Sequence, residues 1–289
     1  MKNTIVRKAL EKARRYFDSG KFLHSIQIYH KLINDYPDLV DAYAELAFVY
    51  SKLGKEFYAE KLLRRAYEID PENEEVAFML GNICLKTKRF DEAIKFFVKL
   101  AYLEYPVVHY NLGLAYYYRG DYFEAEAEFK KVLKIDPDFP KVVESLAEIL
   151  IKRGNFEEAI EHLQRGIKKE PYNYSLYYLL AISFWNLGKL KEAKSAIETA
   201  IDLEPGKAIL WEMCGEILLE LGQIDEAERY FNRAIGLDKN LVDSFINLGL
   251  IYTYRGKIEE ADKFFNEALK LNPDVKAKIE EKLKLLRNG

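Results

Sequence analysis

The chain has 289 residues, of which 49% are hydrophobic and 31% are charged, so it can bury a large core and is not intrinsically disordered. Its net charge of −3 gives the molecule as a whole no electrostatic attraction to nucleic acid or to an anionic membrane. The two cysteines, Cys84 and Cys214, lie far apart and match neither a disulfide framework nor a metal site, which predicts two buried free thiols.

The first ten residues contain no apolar stretch long enough for a signal peptide. No window of the sequence approaches the ~18 uninterrupted apolar residues of a membrane-spanning helix. We therefore expect a cytoplasmic protein that does not insert into membranes.

In chain order, one short pattern keeps returning: a glycine, followed five positions later by a small residue. The glycines are Gly20, Gly54, Gly120, Gly154, Gly188, Gly222 and Gly256, and Lys88 stands in the missing third copy. The step between copies is 34 residues, except from Ala93 to Ala125, where it is 32. A fixed period of this length is typical of a solenoid built from repeated helix pairs.

Extending this frame divides most of the chain into eight repeats, between an N-terminal cap at residues 1–5 and a C-terminal capping helix at residues 274–289. The predicted repeats are 6–39, 40–73, 74–105, 106–139, 140–173, 174–207, 208–241 and 242–273. When each is numbered from one, position 8 is always Gly or Ala, and position 24 is always large and apolar or aromatic.

Apolar residues recur three and four apart within each repeat, first at positions 4, 7, 8 and 11 and again at 17, 20, 24 and 27. This spacing predicts two amphipathic helices per repeat. Glycine at position 15 suits a left-handed exit from the first helix, and proline at position 32 prevents the second from continuing. One such pair cannot cover its own apolar face, so neighbouring pairs must stack.

The last repeat carries the fullest set of characteristic residues: Phe245, Leu248, Gly249, Tyr252, Ala261, Phe265, Ala268 and Pro273. This pattern resembles the tetratricopeptide repeat, and the likeness extends over residues 6–275. The resemblance implies an all-α fold, a right-handed superhelix of stacked helix pairs closed by the C-terminal helix. It also implies that the first helix of each repeat lines a concave groove in which partners bind.

The groove-facing positions that the resemblance implies are 2, 5, 6, 9, 12 and 13. They carry an apolar set consisting of Leu10, Phe48, Phe78, Met79, Leu85, Tyr110, Leu114, Tyr117, Tyr118, Tyr178, Leu179, Ile182 and Trp185. Because a large exposed apolar surface usually marks a binding site, we predict that these residues contact a partner. The alternative is that a tight superhelix lets them bury one another.

The same positions carry eleven carboxylates against six cations, so the groove is predicted to be negative. The carboxylates include Glu11, Asp18, Asp41, Glu45, Glu75, Glu144, Glu148, Glu212, Glu216, Glu220 and Asp243, and the cations are Arg7, Arg14, Lys52, Lys86, Lys141 and Lys152. The predicted ligand is a protein or peptide with basic and apolar residues. Simple solvation of the helix faces is the alternative.

Asn82 and Asn111, at positions 9 and 6 of successive repeats, resemble with Lys141 part of the carboxylate clamp by which chaperone-binding members of this family hold acidic C-terminal peptides. Phe78 and Ser145 stand where that clamp has basic residues, so carboxylate recognition is not predicted. Contact of the two asparagines with a ligand's backbone remains a prediction, because a side-chain amide both donates and accepts hydrogen bonds.

No metal, nucleotide or hydrolase motif appears, and the four histidines lie in different repeats. The sequence therefore predicts a non-enzymatic interaction scaffold without cofactor or metal, whose predicted peptide-binding residues are Phe48, Phe78, Asn82, Tyr110, Asn111, Leu114, Tyr117, Tyr118, Glu144, Glu148, Tyr178, Ile182, Trp185, Glu212 and Glu216. The main alternative is a homo-oligomeric assembly subunit that self-associates through the groove or the C-terminal helix. An unrecognised carboxylate site, such as Glu144 with Glu148, is a more remote one.

Overall fold

A computed structural model describes residues 2–139 and 141–288 of the chain, and these residues form seventeen α-helices and two short 3₁₀ helices without any strand. The α-helices are α1 (Lys2–Asp18), α2 (Phe22–Asp35), α3 (Val40–Lys52), α4 (Glu56–Ile69), α5 (Glu74–Lys86), α6 (Phe90–Leu100), α7 (Pro106–Arg119), α8 (Tyr122–Ile135), α9 (Val142–Lys152), α10 (Phe156–Lys169), α11 (Tyr174–Asn186), α12 (Leu190–Leu203), α13 (Ala208–Glu220), α14 (Ile224–Leu237), α15 (Val242–Tyr254), α16 (Ile258–Leu271) and α17 (Lys276–Asn288). The predicted all-α fold of tandem helix pairs is confirmed.

The helices group into two compact units, residues 1–142 and residues 143–289, which we call unit 1 and unit 2. In unit 1 each odd-numbered helix from α1 to α7 packs on the even-numbered helix that follows it, and α2, α4 and α6 pack on the next odd-numbered helix. Unit 2 repeats this pattern from α10 to α16, and α17 packs on α15. We call the odd-numbered helices from α1 to α15 the first helices and the even-numbered ones the second helices.

The residue at position 24 of each repeat forms the centre of the core. All eight are buried, and they are Tyr29, Leu63, Phe97, Phe129, Leu163, Ile197, Phe231 and Phe265. Each lies on a second helix, and the four phenylalanines lie directly against the glycine at position 8 of the preceding first helix. Tyr29 and Leu63 share core clusters with Ala13 and Ala47 in the same way. The small residue at position 8 therefore allows close pairing of the two helices.

The predicted left-handed exit from the first helix is also confirmed. All seven repeat glycines have positive φ angles, from 70° at Gly54 to 97° at Gly120. Lys88, which replaces glycine in the third copy, adopts the same region with φ of 61°, where a Cβ atom is unfavourable.

Both ends of the described chain are helical. α1 begins at Lys2, so described residues 2–5 are its first turn and not a separate N-terminal cap. At the other end, a 3₁₀ helix at Pro273–Val275 leads into α17, whose Ile279 is buried against the core of α15 and α16. α17 therefore covers an apolar face that would otherwise be open.

Cys84 and Cys214 are free and fully buried, as predicted. Burial raises the pKa of each thiol to about 12, which keeps both protonated and unreactive. Of the helices in the described residues, none is both long enough and apolar enough to cross a membrane.

Candidate functional site

The predicted binding residues lie in both units, so each unit has its own first-helix surface. Unit 1 carries Phe48, Phe78, Asn82, Tyr110, Asn111, Leu114, Tyr117 and Tyr118. Unit 2 carries Glu144, Glu148, Tyr178, Ile182, Trp185, Glu212 and Glu216.

A pocket of about 580 Å³ opens between α1, α3 and α5 in unit 1, and we call it the acidic pocket. Its lining comprises Arg14, Phe17, Asp18, Tyr29, Asp41, Ala44, Glu45, Phe48, Val49, Glu75 and Met79. The ring centroids of Phe17 and Phe48 lie 5.5 Å apart, and Phe48 remains 43% exposed. The pocket therefore offers an accessible apolar wall within reach of several carboxylates.

The charges of the acidic pocket are only partly compensated within the chain. The guanidinium of Arg14 donates to both carboxylate oxygens of Glu45, and the Tyr29 hydroxyl donates to Glu45 Oε2 over 2.7 Å. Among the described residues, none forms a hydrogen bond or ion pair with the carboxylate of Asp18, Asp41 or Glu75. The pocket is thus three negative charges in excess, a setting that favours a cationic group.

A second pocket of about 320 Å³ adjoins it between α3 and α5, and we call it the lysine pocket. It is lined by Ala47, Phe48, Ser51, Lys52, Glu56, Leu63, Met79, Asn82, Ile83 and Lys86. The two pockets share Phe48 and Met79 as a common wall. Lys86 forms an ion pair with Glu56, whereas Lys52 Nζ lies 5.2 Å from the centroid of the Phe48 ring.

Several other aromatic residues predicted to face a ligand also pack against their own chain. Phe78 is half-buried and lies edge-on to Phe97, with ring centroids 6.0 Å apart. Tyr110 is half-buried between Phe129 and Phe139, and its ring centroid lies 5.5 and 5.1 Å from theirs. Part of each ring is therefore covered by the chain's own core, and contact of these two residues with a partner stays a prediction.

The other apolar residues of unit 1 that were predicted to face a partner are likewise partly exposed and partly packed against the chain. Tyr118 is 58% exposed and stacks on Phe90, while Tyr117 contacts both Tyr118 and Tyr122 and is half-buried. Leu114 is half-buried on α7. Leu10 of unit 1, and likewise Leu179 of unit 2, is only 7% exposed and belongs to the core.

The two asparagines singled out by the sequence are neighbours. Asn111 Nδ2 donates to Asn82 Oδ1 over 2.8 Å, which links α7 to α5. Asn82 also lines the lysine pocket. The pair is therefore held in place by its own hydrogen bond, beside the apolar wall that Phe48 and Met79 form.

Unit 2 brings a tyrosine and several carboxylates together on successive first helices. Tyr178 on α11 lies near Glu148, Glu212 and Glu216; burial and these negative charges raise its pKa. Glu212 itself is 8% exposed and accepts hydrogen bonds from the backbone N–H and the hydroxyl of Ser244, at 3.0 and 2.9 Å. The prediction that Glu212 faces an open groove is therefore wrong, because its carboxylate joins α13 to α15.

We call Glu148, Glu212, Glu216 and Asp243 the acidic cluster, and within it the pKa of Glu216 is shifted furthest from its ordinary value. Burial, together with the negative charges of Glu212 and Asp243, raises its pKa to about 7. Lys282 and Lys278 on α17 act in the opposite direction, and the Lys278 ammonium donates to Asp243 at 2.5 Å. The acidic cluster is thus partly neutralised by two lysines of the chain's own last helix, which the sequence reasoning missed.

The other predicted residues of unit 2 are spread along the same helices. Glu144 accepts a hydrogen bond from Asn173 Nδ2 over 2.7 Å, which joins α9 to the start of α11. Glu148 is exposed, and Ile182 and Trp185 are half-buried on α11. Within residues 2–139 and 141–288, no group of three or more His, Cys, Asp or Glu side chains is placed to hold a metal ion. The contacts that these first-helix residues make are ion pairs, hydrogen bonds and apolar packing.

Tandem helix pairs, each covered by the next pair, define the class of α-helical repeat proteins. Within that class, models of the tetratricopeptide repeat match residues 40–73, 59–103, 116–183, 178–241 and 242–275. The chain therefore belongs to the tetratricopeptide repeat family, as its sequence pattern predicted.

Solved structures share the fold. A tetratricopeptide repeat protein from Parabacteroides merdae matches with a TM-score of 0.61 and 20% identity, covering 85% of this chain and 98% of that one. The Cut9–Hcn1 hetero-tetramer of the APC/C matches with a TM-score of 0.61 and 19% identity, and the match covers 96% of this chain and 55% of that one. MamA from Desulfovibrio magneticus RS-1 matches with a TM-score of 0.55 and 22% identity, and the match covers 58% of this chain and 96% of that one. No curated protein sequence matches the chain.

Proposed function

We propose that this protein is a non-enzymatic interaction scaffold that binds a peptide or extended partner segment along its first-helix surfaces. The observation that carries the proposal is the acidic pocket of unit 1, where the apolar wall of Phe48 and Met79 adjoins the unpaired carboxylates of Asp41 and Glu75. An accessible apolar surface with few, well-placed polar groups is the usual form of a recognition site.

The preferred partner carries basic and apolar residues. A lysine or arginine side chain compensates the carboxylates of the acidic pocket, and its apolar neighbours cover the exposed ring of Phe48. A purely acidic peptide meets repulsion from Asp18, Asp41 and Glu75, so charge supplies the selectivity and apolar contact supplies most of the affinity.

The acidic cluster of unit 2 supplies a second point of contact. Burial and neighbouring carboxylates raise the pKa of Glu216 to about 7, so a cation that binds there lowers this pKa and gains the energy of a recessed ion pair. Tyr178 offers an aromatic face beside the same carboxylates. A partner with basic residues can therefore engage each unit separately.

The wider family gives general support for an interaction role. Helical solenoids present extended surfaces that suit peptide binding, and one structure with this fold is the Cut9–Hcn1 hetero-tetramer. That complex concerns Cut9 and Hcn1, and it supports for this chain only the general role of assembly with other polypeptides.

The proposal is tested by fluorescence anisotropy with short labelled peptides of alternating Lys and Leu, compared with the matching Glu and Leu peptides. Phe48→Ala is expected to weaken binding of the Lys peptide about ten-fold, since a central aromatic anchor contributes over 1 kcal/mol. Phe57→Ala is the matched control, because Phe57 on α4 is 74% exposed but lies outside both pockets. Equal affinity for both peptides, or equal loss in both variants, contradicts the proposal.

Self-association is a second candidate function, and the last helix favours it. Leu285 and Leu286 on α17 are 66% and 37% exposed, and they extend an apolar edge at this end of the chain. Leu285→Lys is expected to shift a homodimer toward monomer in light scattering without unfolding α17, because Ile279 provides the contact with the core. A monomer mass at every concentration of the unmodified protein excludes this candidate.

A further inference from the structure

Two neighbouring first helices of unit 1 carry the same order of side chains along one face. On α3 the order is Asp41, Phe48, Lys52, and on α5 it is Glu75, Met79, Lys86. At about 100° per residue, the three residues on each helix fall within about 40° of one another around the helix axis. Each helix therefore presents a stripe with a carboxylate at its start, an apolar side chain in the middle and a lysine at its end. The same face also carries Glu45 on α3, which is bound by Arg14 and Tyr29, and Asn82 on α5, which is bound by Asn111.

The two stripes lie side by side and run in the same direction. The acidic pocket combines Asp41 with Glu75, the shared wall combines Phe48 with Met79, and the lysine pocket combines Lys52 with Lys86. The cleft between α3 and α5 therefore has an acidic end and a basic end, with the apolar wall of Phe48 and Met79 between them.

The charges at the two ends are available to a ligand. Among the described residues, neither Asp41 nor Glu75 forms a hydrogen bond or a close ion pair, and Arg14, which attracts Asp41, is itself bound by Glu45. Lys52 likewise has no carboxylate partner among the described residues, and its ammonium lies over the Phe48 ring. Lys86, by contrast, is engaged by Glu56, so Lys52 is the cation left to meet an anionic group.

The distance between the ends fixes the spacing of complementary groups. Asp41 and Lys52 are eleven residues apart on α3, which at 1.5 Å per residue corresponds to about 16 Å. An extended peptide advances about 3.3 Å per residue, so this length corresponds to about five residues.

We propose that the α3–α5 cleft recognises an extended peptide segment with a basic residue and an acidic residue about five positions apart, separated by apolar residues that cover Phe48 and Met79. The basic side chain enters the acidic pocket and the acidic side chain pairs with Lys52. This inference rests on the proposed peptide-binding function and adds to it the charge pattern of the ligand.

Four labelled peptides of equal length and with the same two leucines test the pattern. The first has Lys and Glu five positions apart, the second has the same residues adjacent, the third has two Lys, and the fourth has two Glu. The first is expected to bind about two- to five-fold more tightly than each of the others, the range for one additional ion pair with an exposed lysine.

Reversing one end of the cleft gives the second arm of the test. In Lys52→Glu the preference is expected to change, so that the peptide with two Lys binds more tightly than the one with Lys and Glu. Lys61→Glu is the matched control, because Lys61 is exposed on α4 and lies outside both pockets, and it is expected to keep the original order. Circular dichroism establishes that both variants are folded.

The outcomes separate this inference from the general function. Similar binding of all four peptides, or an unchanged preference in Lys52→Glu, overturns the charge pattern while peptide binding itself stands. Failure of every peptide to bind overturns both.

Discussion

Phe97 on α6 lies directly against the backbone of Gly81 on α5. A Cβ atom added at Gly81 would stand 2.7 Å from Phe97 Cε1, well inside van der Waals contact. The same relationship holds in all four repeats with phenylalanine at position 24, and the remaining repeats have alanine at position 8 with tyrosine, leucine or isoleucine at position 24. The size of one residue therefore sets the size allowed for the other.

This pairing predicts the effect of Gly81→Ala. The new methyl group must displace a fully buried ring, so the free energy of unfolding in urea is expected to fall by about 1–3 kcal/mol. Adding Phe97→Leu recreates the alanine–leucine pair found at Ala47 and Leu63. The double variant should therefore lose less free energy of unfolding than the sum of the losses in the two single variants. Simple additivity of the two substitutions would contradict the pairing.

Lys88→Gly is expected to stabilise the protein. Lys88 has a φ angle of 61°, a region that costs a residue with a Cβ about 1 kcal/mol but costs glycine little. The gain in the free energy of unfolding should be about 0.5–1 kcal/mol. Lys95→Gly, within α6, is the control and should lose about 1 kcal/mol through poor helix propensity. A loss of stability in Lys88→Gly would show that its side chain stabilises the turn.

The repeat pattern was sufficient to predict the fold because each repeat states its structure locally. Glycine at position 15 and the position 8–position 24 pair are properties of single helix turns and single contacts, so eight copies reinforce one another. Gly166 shows the limit of such reasoning. Its helical position suggests a loss of stability, but a Cβ there would lie 2.9 Å from Val143 Cγ1 and 3.3 Å from Leu176 Cδ1. That close packing depends on neighbouring helices and is not visible in the periodicity.

The wall of the acidic pocket predicts unequal effects of two carboxylate substitutions. Glu45→Ala removes the acceptor of Tyr29, whose hydroxyl points from a fully buried ring, and should lower the free energy of unfolding by about 1–3 kcal/mol. Glu75→Ala removes an exposed carboxylate without a partner among the described residues and should change it by less than about 0.5 kcal/mol. Equal losses would mean that the pocket charges are not paired as the contacts indicate.

The acidic cluster of unit 2 predicts a pH dependence of stability. The folded-state pKa of Glu216 is about 7 against an ordinary 4.5, so between these values the folded state holds the proton more tightly than the unfolded state. Stability is therefore lost as the pH rises from about 4.5 to about 7. Glu216→Gln removes this loss and should stabilise the protein by about 1–3 kcal/mol at pH 8.

The comparison at low pH supplies the control for Glu216. Well below pH 4.5 the carboxyl is protonated in both states, so Glu216→Gln and the unmodified protein should be about equally stable there. Glu220→Gln, an exposed residue at the end of the same helix, should change little at either pH. A stabilisation by Glu216→Gln that is independent of pH would contradict the titration of this group.

The candidate site could be predicted only in part. The frame gave Phe48 and Asn82 the same groove-facing position 9, and both line the lysine pocket, while their contact with a partner stays a prediction. For Phe78 and Tyr110 it could not tell a residue that faces a groove from one that leans onto the second helix. It also missed Lys278, although extending the frame one repeat further makes α17 another first helix, which packs against α15 and Asp243.

A hydrogen-exchange footprint of the bound Lys and Leu peptide tests the central claim most directly. If the first helices of unit 1 form the binding surface, the peptide should slow amide exchange in α3 and α5, and Phe48→Ala should abolish this protection. The second helices α4 and α6 should exchange as in the free protein. Protection confined to α4 and α6, or protection that persists unchanged in Phe48→Ala, would contradict the account.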